Sequence, residues 1–173
     1  MKRTLQCFSH ENIMGMVSPE KTVIFIISAV FFVFLNGCGP KALFDHTKSI
    51  PDGVWFSDQH LQFEVPVTDT LNLHMFYLNL RHTTDYRYAN LFLFISTTFP
   101  DGETARDTVE CILADKTGQW LGKGISNIRD NQILLRRGLR FPQKGTYIFE
   151  MEQAMREPAL DGIMDVGFRI VRE

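Results

Sequence analysis

The sequence predicts an all-β chain, an antiparallel β-sandwich of jelly-roll type with about eight strands, and three observations predict it. Short apolar runs alternate residue by residue with polar ones, the mark of a strand with one face buried. Turn residues recur between these runs at spacings too short for helical hairpins. After Cys38, no stretch of twelve residues keeps a 3.6-residue period with caps at its ends.

The chain opens with a different element. Thr22 to Leu35 reads TVIFIISAVFFVFL, fourteen uncharged residues preceded by Lys21 and, further back, Lys2 and Arg3. A membrane-spanning helix needs about 20 apolar residues, whereas the core of an export signal needs roughly 7 to 15. Residues 1–37 are therefore expected to be a signal peptide, with Met14 or Met16 as alternative starts.

Where the apolar run ends stands Leu35-Asn36-Gly37-Cys38, which resembles the lipobox of bacterial lipoproteins. The resemblance implies cleavage before Cys38 and lipidation of its thiol and new amino terminus. Each buried methylene contributes about 0.8 kcal/mol, so one acyl chain holds a protein reversibly and two or three hold it essentially permanently.

Residues 38–51 are expected to be a tether, because Gly39, Pro40 and Lys41 open a stretch without strong periodicity. Residues 52–173 are expected to be the sandwich domain. Its first strand is Leu61 to Val67, with Leu61, Phe63, Val65 and Val67 on one face and Gln62 and Glu64 on the other. Further strands are expected at Leu71 to Arg81, Leu91 to Phe99, Thr108 to Ala114, Trp120 to Ile125, Gln132 to Phe141, Thr146 to Gln153 and Ile163 to Val171. Between them lie Pro100-Asp101-Gly102, Lys116-Thr117-Gly118, Arg129-Asp130-Asn131 and Gln143-Lys144-Gly145. Leu91 to Ile95 is apolar at every position, which predicts a strand covered on both faces. Helix is limited to a turn or two around Ala154 to Leu160, stopped by Pro158.

Composition narrows the function. The 136 residues from Cys38 carry 15 Lys and Arg against 18 Asp and Glu, a net charge of -3. A nucleic-acid binder needs a basic surface to neutralise phosphates, so nucleic acid is not an expected partner. The one basic cluster, Arg136, Arg137 and Arg140, reads as a solvated strand edge or as an anion or lipid-headgroup contact. Cys7 and Cys38 belong to the leader and its boundary. Cys111 therefore has no disulfide partner in the mature part, and its place beside Val109 and Leu113 predicts burial.

No arrangement for catalysis stands out. His46, His60, His74 and His82 are scattered without HxxxH or HExxH spacing and read as surface or edge residues. No GxSxG or Walker sequence occurs, and Gly122-Lys123-Gly124 is too short to cradle a phosphate. No metal, cofactor, small-molecule substrate or enzymatic activity is expected. A candidate interaction surface is formed by Trp55, by Arg81, Tyr86, Tyr88 and Asn90 around one hairpin, and by Gln153 and Arg156 after another strand. These groups suit sugar or peptide contact, or Arg81 and Tyr88 form a structural pair at the sandwich end. A carbohydrate-binding module using Trp55, Trp120, Tyr86 or Tyr88 is the alternative reading.

Several segments in one order resemble the GldH family of gliding-motility lipoproteins of Bacteroidetes. They are Tyr86-Arg87-Tyr88-Ala89-Asn90-Leu91-Phe92-Leu93-Phe94, then Leu113-Ala114-Asp115-Lys116-Thr117-Gly118-Gln119-Trp120-Leu121-Gly122, and most distinctively Glu152-Gln153-Ala154-Met155-Arg156 with Leu160-Asp161-Gly162-Ile163-Met164-Asp165-Val166-Gly167-Phe168-Arg169. The resemblance implies a non-enzymatic envelope lipoprotein that acts in gliding beside a secretion machinery of type IX, with other gliding or secretion envelope proteins as partners. Only Cys38 is transferred as a functional position. The sequence after Cys38 lacks an acidic run, which leans toward an outer-membrane anchor with the domain facing the periplasm.

Overall fold

The computed structural model describes residues 42–173; the leader, Cys38 and the first residues of the expected tether lie outside them. Ten strands follow in order: β1 (Ala42–Ser49), β2 (Val54–Phe56), β3 (Leu61–Val67), β4 (His74–Thr83), β5 (Asn90–Thr98), β6 (Thr104–Ile112), β7 (Ile128–Leu139), β8 (Gly145–Gln153), β9 (Ala159–Asp161) and β10 (Ile163–Arg172). Two four-stranded antiparallel sheets pack face to face, one in the order β1-β10-β4-β7 and the other β3-β8-β5-β6. Leaving out the short β2-β9 ribbon, the eight long strands run first-eighth-third-sixth against second-seventh-fourth-fifth. That is the doubly wound Greek-key order of a jelly roll, as the sequence predicts.

Alternation explains the packing. In β3, Leu61, Phe63, Val65 and Val67 are buried and the residues between them exposed; β8 repeats the pattern with Tyr147, Phe149 and Met151. Phe149 and Phe168 meet across the sheets with ring centroids 4.7 Å apart, and Phe63 and Phe76 reach Phe168 at 6.0 and 6.2 Å. Tilted aromatic pairs of this kind add about 0.5–1.5 kcal/mol each beyond their buried area.

The structure corrects several expectations. Most of the tether is a strand: Ala42 to Ser49 pair with Val171 to Asp165, so the sandwich begins by residue 42 rather than 52. As an edge strand with polar Asp45, His46 and Lys48 it lacks a clean alternation, and Asp45 is held by Arg169. Trp55 and Leu160 face each other in the unforeseen β2-β9 ribbon; the helical turn expected around Ala154 to Leu160 is instead a series of bends over 155–158 that leads into β9. The strand expected from Leu71 starts at His74, because Asp69 Oδ1 accepts from the amides of Leu71 and Asn72 and holds that segment as a turn. Leu91 and Leu93 are fully buried, but Phe92 and Phe94 are half-buried on the outer face, where the Arg106 guanidinium lies 4.4 Å from the Phe94 ring centroid.

Trp120 to Ile125 is not a strand. Residues 113–127 cross from one sheet to the other as a loop, tied by Leu113 and Ala114 amides to Ala89 O and by Leu121 N to Leu113 O. A Cβ on Gly124 would lie 2.1 Å from Ile128 O, so the loop folds back on β7 too closely for a side chain. This crossing closes one end of the sandwich over Leu113 and Ala114, both buried.

Candidate functional site

The predicted interaction residues divide into separate environments. Arg81, on the outer face of β4, donates to Asp130 at 2.8 Å and to Asp165 at 3.1 Å, tying β7, β4 and β10 together. Both carboxylates raise its already high pKa, the hydrogen bond to Asp130 most. It forms no pair with Tyr88. Tyr88 instead donates to Glu157 at 2.6 Å, and that hydrogen bond is the main reason its hydroxyl is harder to ionise than usual.

Tyr86, Tyr88, Asn90 and Gln153 do come together, but as structure. Tyr86 is buried and donates to Asn90 O at 3.0 Å; desolvation pushes its hydroxyl well above the usual tyrosine range. Asn90 donates to Glu110, and Gln153 bridges its own turn by donating to Glu157 O and accepting from Met155 N. Arg156 is exposed. Trp55 is wholly buried, with its indole donating to Gln59 O at 2.9 Å. Two of the four aromatic platforms of the carbohydrate reading, Trp55 and Tyr86, are therefore core residues, and Trp120 packs 4.6 Å from the His82 ring.

His74 and His82 also correct the sequence reading, since both are buried rather than at a surface or edge. His82 Nδ1 lies 2.8 Å from Thr83 O, which places the proton on that nitrogen and leaves Nε2 as an unpartnered acceptor. Desolvation is the main cause that lowers its pKa below 6.5. On the opposite sheet, His60, Glu150 and Glu152 have potential ligand atoms within 4.8 Å of one another. Gln62 already bonds Glu150, and Arg106 bonds Glu152 at 3.1 Å. With a guanidinium seated there, the cluster is an ion-pair network of the sheet surface.

A polar groove of about 980 Å³ runs along Arg81, Asp130 and Asp165; the apolar cleft lies elsewhere, between the free edges of the two sheets, β6 and β7. A cavity of about 500 Å³ opens there, floored by Phe76, Phe149 and Phe168 and walled by Leu135, Leu139 and Phe141. Its cause is local. Successive partners of His74, Phe76 and Tyr77 on β7 are Leu139, Arg136 and Leu134, so β7 carries two extra residues in that short span. Gly138 sits at φ +70°, the left-handed backbone such a bulge uses. Bulges bend an edge strand and re-aim its side chains. Leu135 and neighbouring Arg136 consequently both line the cavity.

On the facing strand, Cys111, Val109, Asp107 and Ala105 pair with Leu91, Leu93, Ile95 and Thr97 and share their inward face. Exposure grows along that row from buried Cys111 to exposed Asp107 and Ala105, which marks where the sandwich opens. Arg136 and Asp107 stand 3.8 Å apart across the mouth, and Arg140 lies on the same rim. The cavity residues Phe76, Phe141 and Phe149 were missed as a site; the broken alternation at Leu134-Leu135-Arg136-Arg137-Gly138 was the available signal.

The fold and cleft define a jelly-roll domain with an apolar space open along one edge. Comparison with known proteins carries the assignment further. The sequence profile of the family described as "GldH lipoprotein" matches residues 42–170. The "Gliding motility lipoprotein GldH homolog" of Christiangramia forsetii is 33% identical over 162 residues, covering 90% of this chain and 97% of the relative. "Gliding motility lipoprotein GldH" of Flavobacterium johnsoniae is 34% identical over 145 residues, covering 80% and 89%. The chain belongs to the GldH lipoprotein family, and with it to the lipid-anchored proteins of the bacterial cell envelope. Among solved structures, TmCBM61 in complex with β-1,4-galactotriose overlays with a TM-score of 0.31 at 11% identity, over 75% of this chain and 88% of that one; so weak an overlay bears on neither fold nor ligand.

Proposed function

We propose that the chain acts in gliding motility and the associated secretion or envelope assembly as a non-enzymatic interaction component, anchored through lipidated Cys38 in the outer membrane and facing the periplasm. One observation carries the reading: the family match, residues 42–170, is coextensive with the described sandwich from β1 to β10, so the whole domain and not a fragment is shared with the gliding-motility lipoproteins. The polar groups singled out in the sequence support a scaffold role, because Arg81, Tyr88 and Gln153 are engaged in internal hydrogen bonds. Partners are expected among other gliding or secretion proteins of the envelope.

A pull-down of the acylated protein, tagged after Glu173, from detergent-solubilised envelopes tests this against a Cys38→Ala form. Recovery of gliding or secretion components with the acylated form supports the reading. Recovery of the lipoprotein alone from both samples overturns the scaffold role.

A further inference from the structure

The cleft between β6 and β7 is not explained by scaffolding. A sandwich core is ordinarily closed to near-crystalline density, and here Leu91 and Leu93 are at 0% exposure. Around the cleft, the core members Phe76, Ile95 and Phe149 retain 7, 9 and 6%. Leu139 at its mouth is 45% exposed. The volume of about 500 Å³ falls in the roughly 300–1,000 Å³ range of sites that hold a small molecule.

The lining indicates the chemistry of the occupant. Phe76, Leu135, Phe141, Phe149 and Phe168 offer apolar surface, and charge is confined to the exposed Asp107, Glu110, Arg136 and Arg140, of which Glu110 already accepts from Asn90. The floor of Phe76, Phe149 and Phe168 offers no hydrogen-bonding partner, and an acyl chain has no polar group to leave unsatisfied over it. At the mouth, Arg140 has no ion pair among the described residues, and Arg136 makes only the loose 3.8 Å contact to Asp107. Two guanidiniums on one lip suit a carboxylate or comparable anion, which they bind by charge-assisted hydrogen bonds. Arg137, the third residue of the basic cluster, is already paired with Glu173 at 2.7 Å and points away from this role.

We infer that the β6/β7 cleft binds a single-chain anionic amphiphile of the long-chain fatty acid class, with its tail over Phe76, Phe149 and Phe168 and its carboxylate between Arg136 and Arg140. A single cavity between two strands accommodates one chain; a diacyl lipid would leave its second chain in water. The site is independent of the gliding role and of the anchor on Cys38.

The test is photolabelling of the full-length lipoprotein, reconstituted in phosphatidylcholine nanodiscs, with a diazirine-bearing palmitate. Crosslinked peptides are mapped by mass spectrometry, and a diazirine-bearing phosphatidylglycerol is run in parallel. Labelling by palmitate should concentrate in residues 104–110 and 135–141 and be displaced by unlabelled palmitate. Arg140→Gln should weaken displacement about tenfold, as expected for loss of a hydrogen bond to a charged group. Ala105→Trp, a change at an exposed edge position that fills the cleft, should abolish the cleft label. Both positions are exposed, and thermal unfolding checks that the variants remain folded. Label spread evenly over the surface, label at the cleft insensitive to both substitutions, or cleft label from phosphatidylglycerol but not palmitate would each overturn the proposal.

Discussion

The guanidinium of Arg136 on β7 stands 3.8 Å from the carboxylate of Asp107 on β6, so the two free edges of the sandwich meet through an exposed ion pair above an aromatic floor. Both side chains are more than 60% exposed, and pairs in that setting contribute little after solvent screening and side-chain ordering. Asp107→Asn should therefore leave the thermal midpoint essentially unchanged. A marked drop would show that the pair holds the edges together rather than lining an opening.

Trp55 gives the opposite case. It is fully buried with a satisfied indole, and removal of a buried aromatic ring typically costs about 3–5 kcal/mol. Trp55→Ala should lower unfolding stability by that order, read by chemical denaturation of the purified protein. A surface sugar platform would instead change stability by only about 0.5 kcal/mol.

His82 predicts a pH dependence. Burial lowers its folded pKa below the usual 6.5, so the unfolded chain binds the proton more readily. The stability associated with neutral His82 is complete above about pH 6.5 and is lost as pH falls through 6.5 toward the lower folded value. Thermal midpoints should fall between pH 7.5 and 5.5, and His82→Phe should flatten the slope in that window. An unchanged slope would assign the dependence to other groups.

Much of this fold is legible in the sequence because the jelly roll has strands with one wet and one dry face. Residues 61–67 and 163–171 announce themselves by alternation, and Pro100-Asp101-Gly102 marks a hairpin turn. What is hidden are the edges. β1 and the first part of β6 are largely exposed, so no period of two appears in them. The bulged β7 breaks the period with its extra residues. The candidate site suffers for the same reason: it is built from edge irregularity and from core phenylalanines, whereas conspicuous polar residues such as Arg81 and Tyr88 are used in internal bonds.

Cys111 is buried beneath the end of β6, and burial, with Glu110 adding to it, pushes its thiol up to about 12. Since the thiolate is the reactive form, iodoacetamide should leave Cys111 unmodified in the native protein at pH 8 and alkylate it after denaturation. Rapid native alkylation would mean that the closed end of the sandwich opens.

Gly138 lies in the left-handed region within β7, where a β-branched side chain is strained by roughly 1–3 kcal/mol. Gly138→Val should destabilise the protein by that order while Gly138→Asn costs less, because Asn tolerates this backbone. Equal stability of all three forms would remove the bulge from the account of how the cleft opens.

The proposed role of this domain in gliding from a lipid anchor is open to a direct test in cells. The most direct measurement is colony spreading and single-cell gliding of a host strain lacking the chain, complemented with the wild type or with Cys38→Ala. Spreading should be lost on deletion, restored by the wild type and not by the variant; normal gliding in the deletion strain, or full rescue without Cys38, would contradict the proposed role.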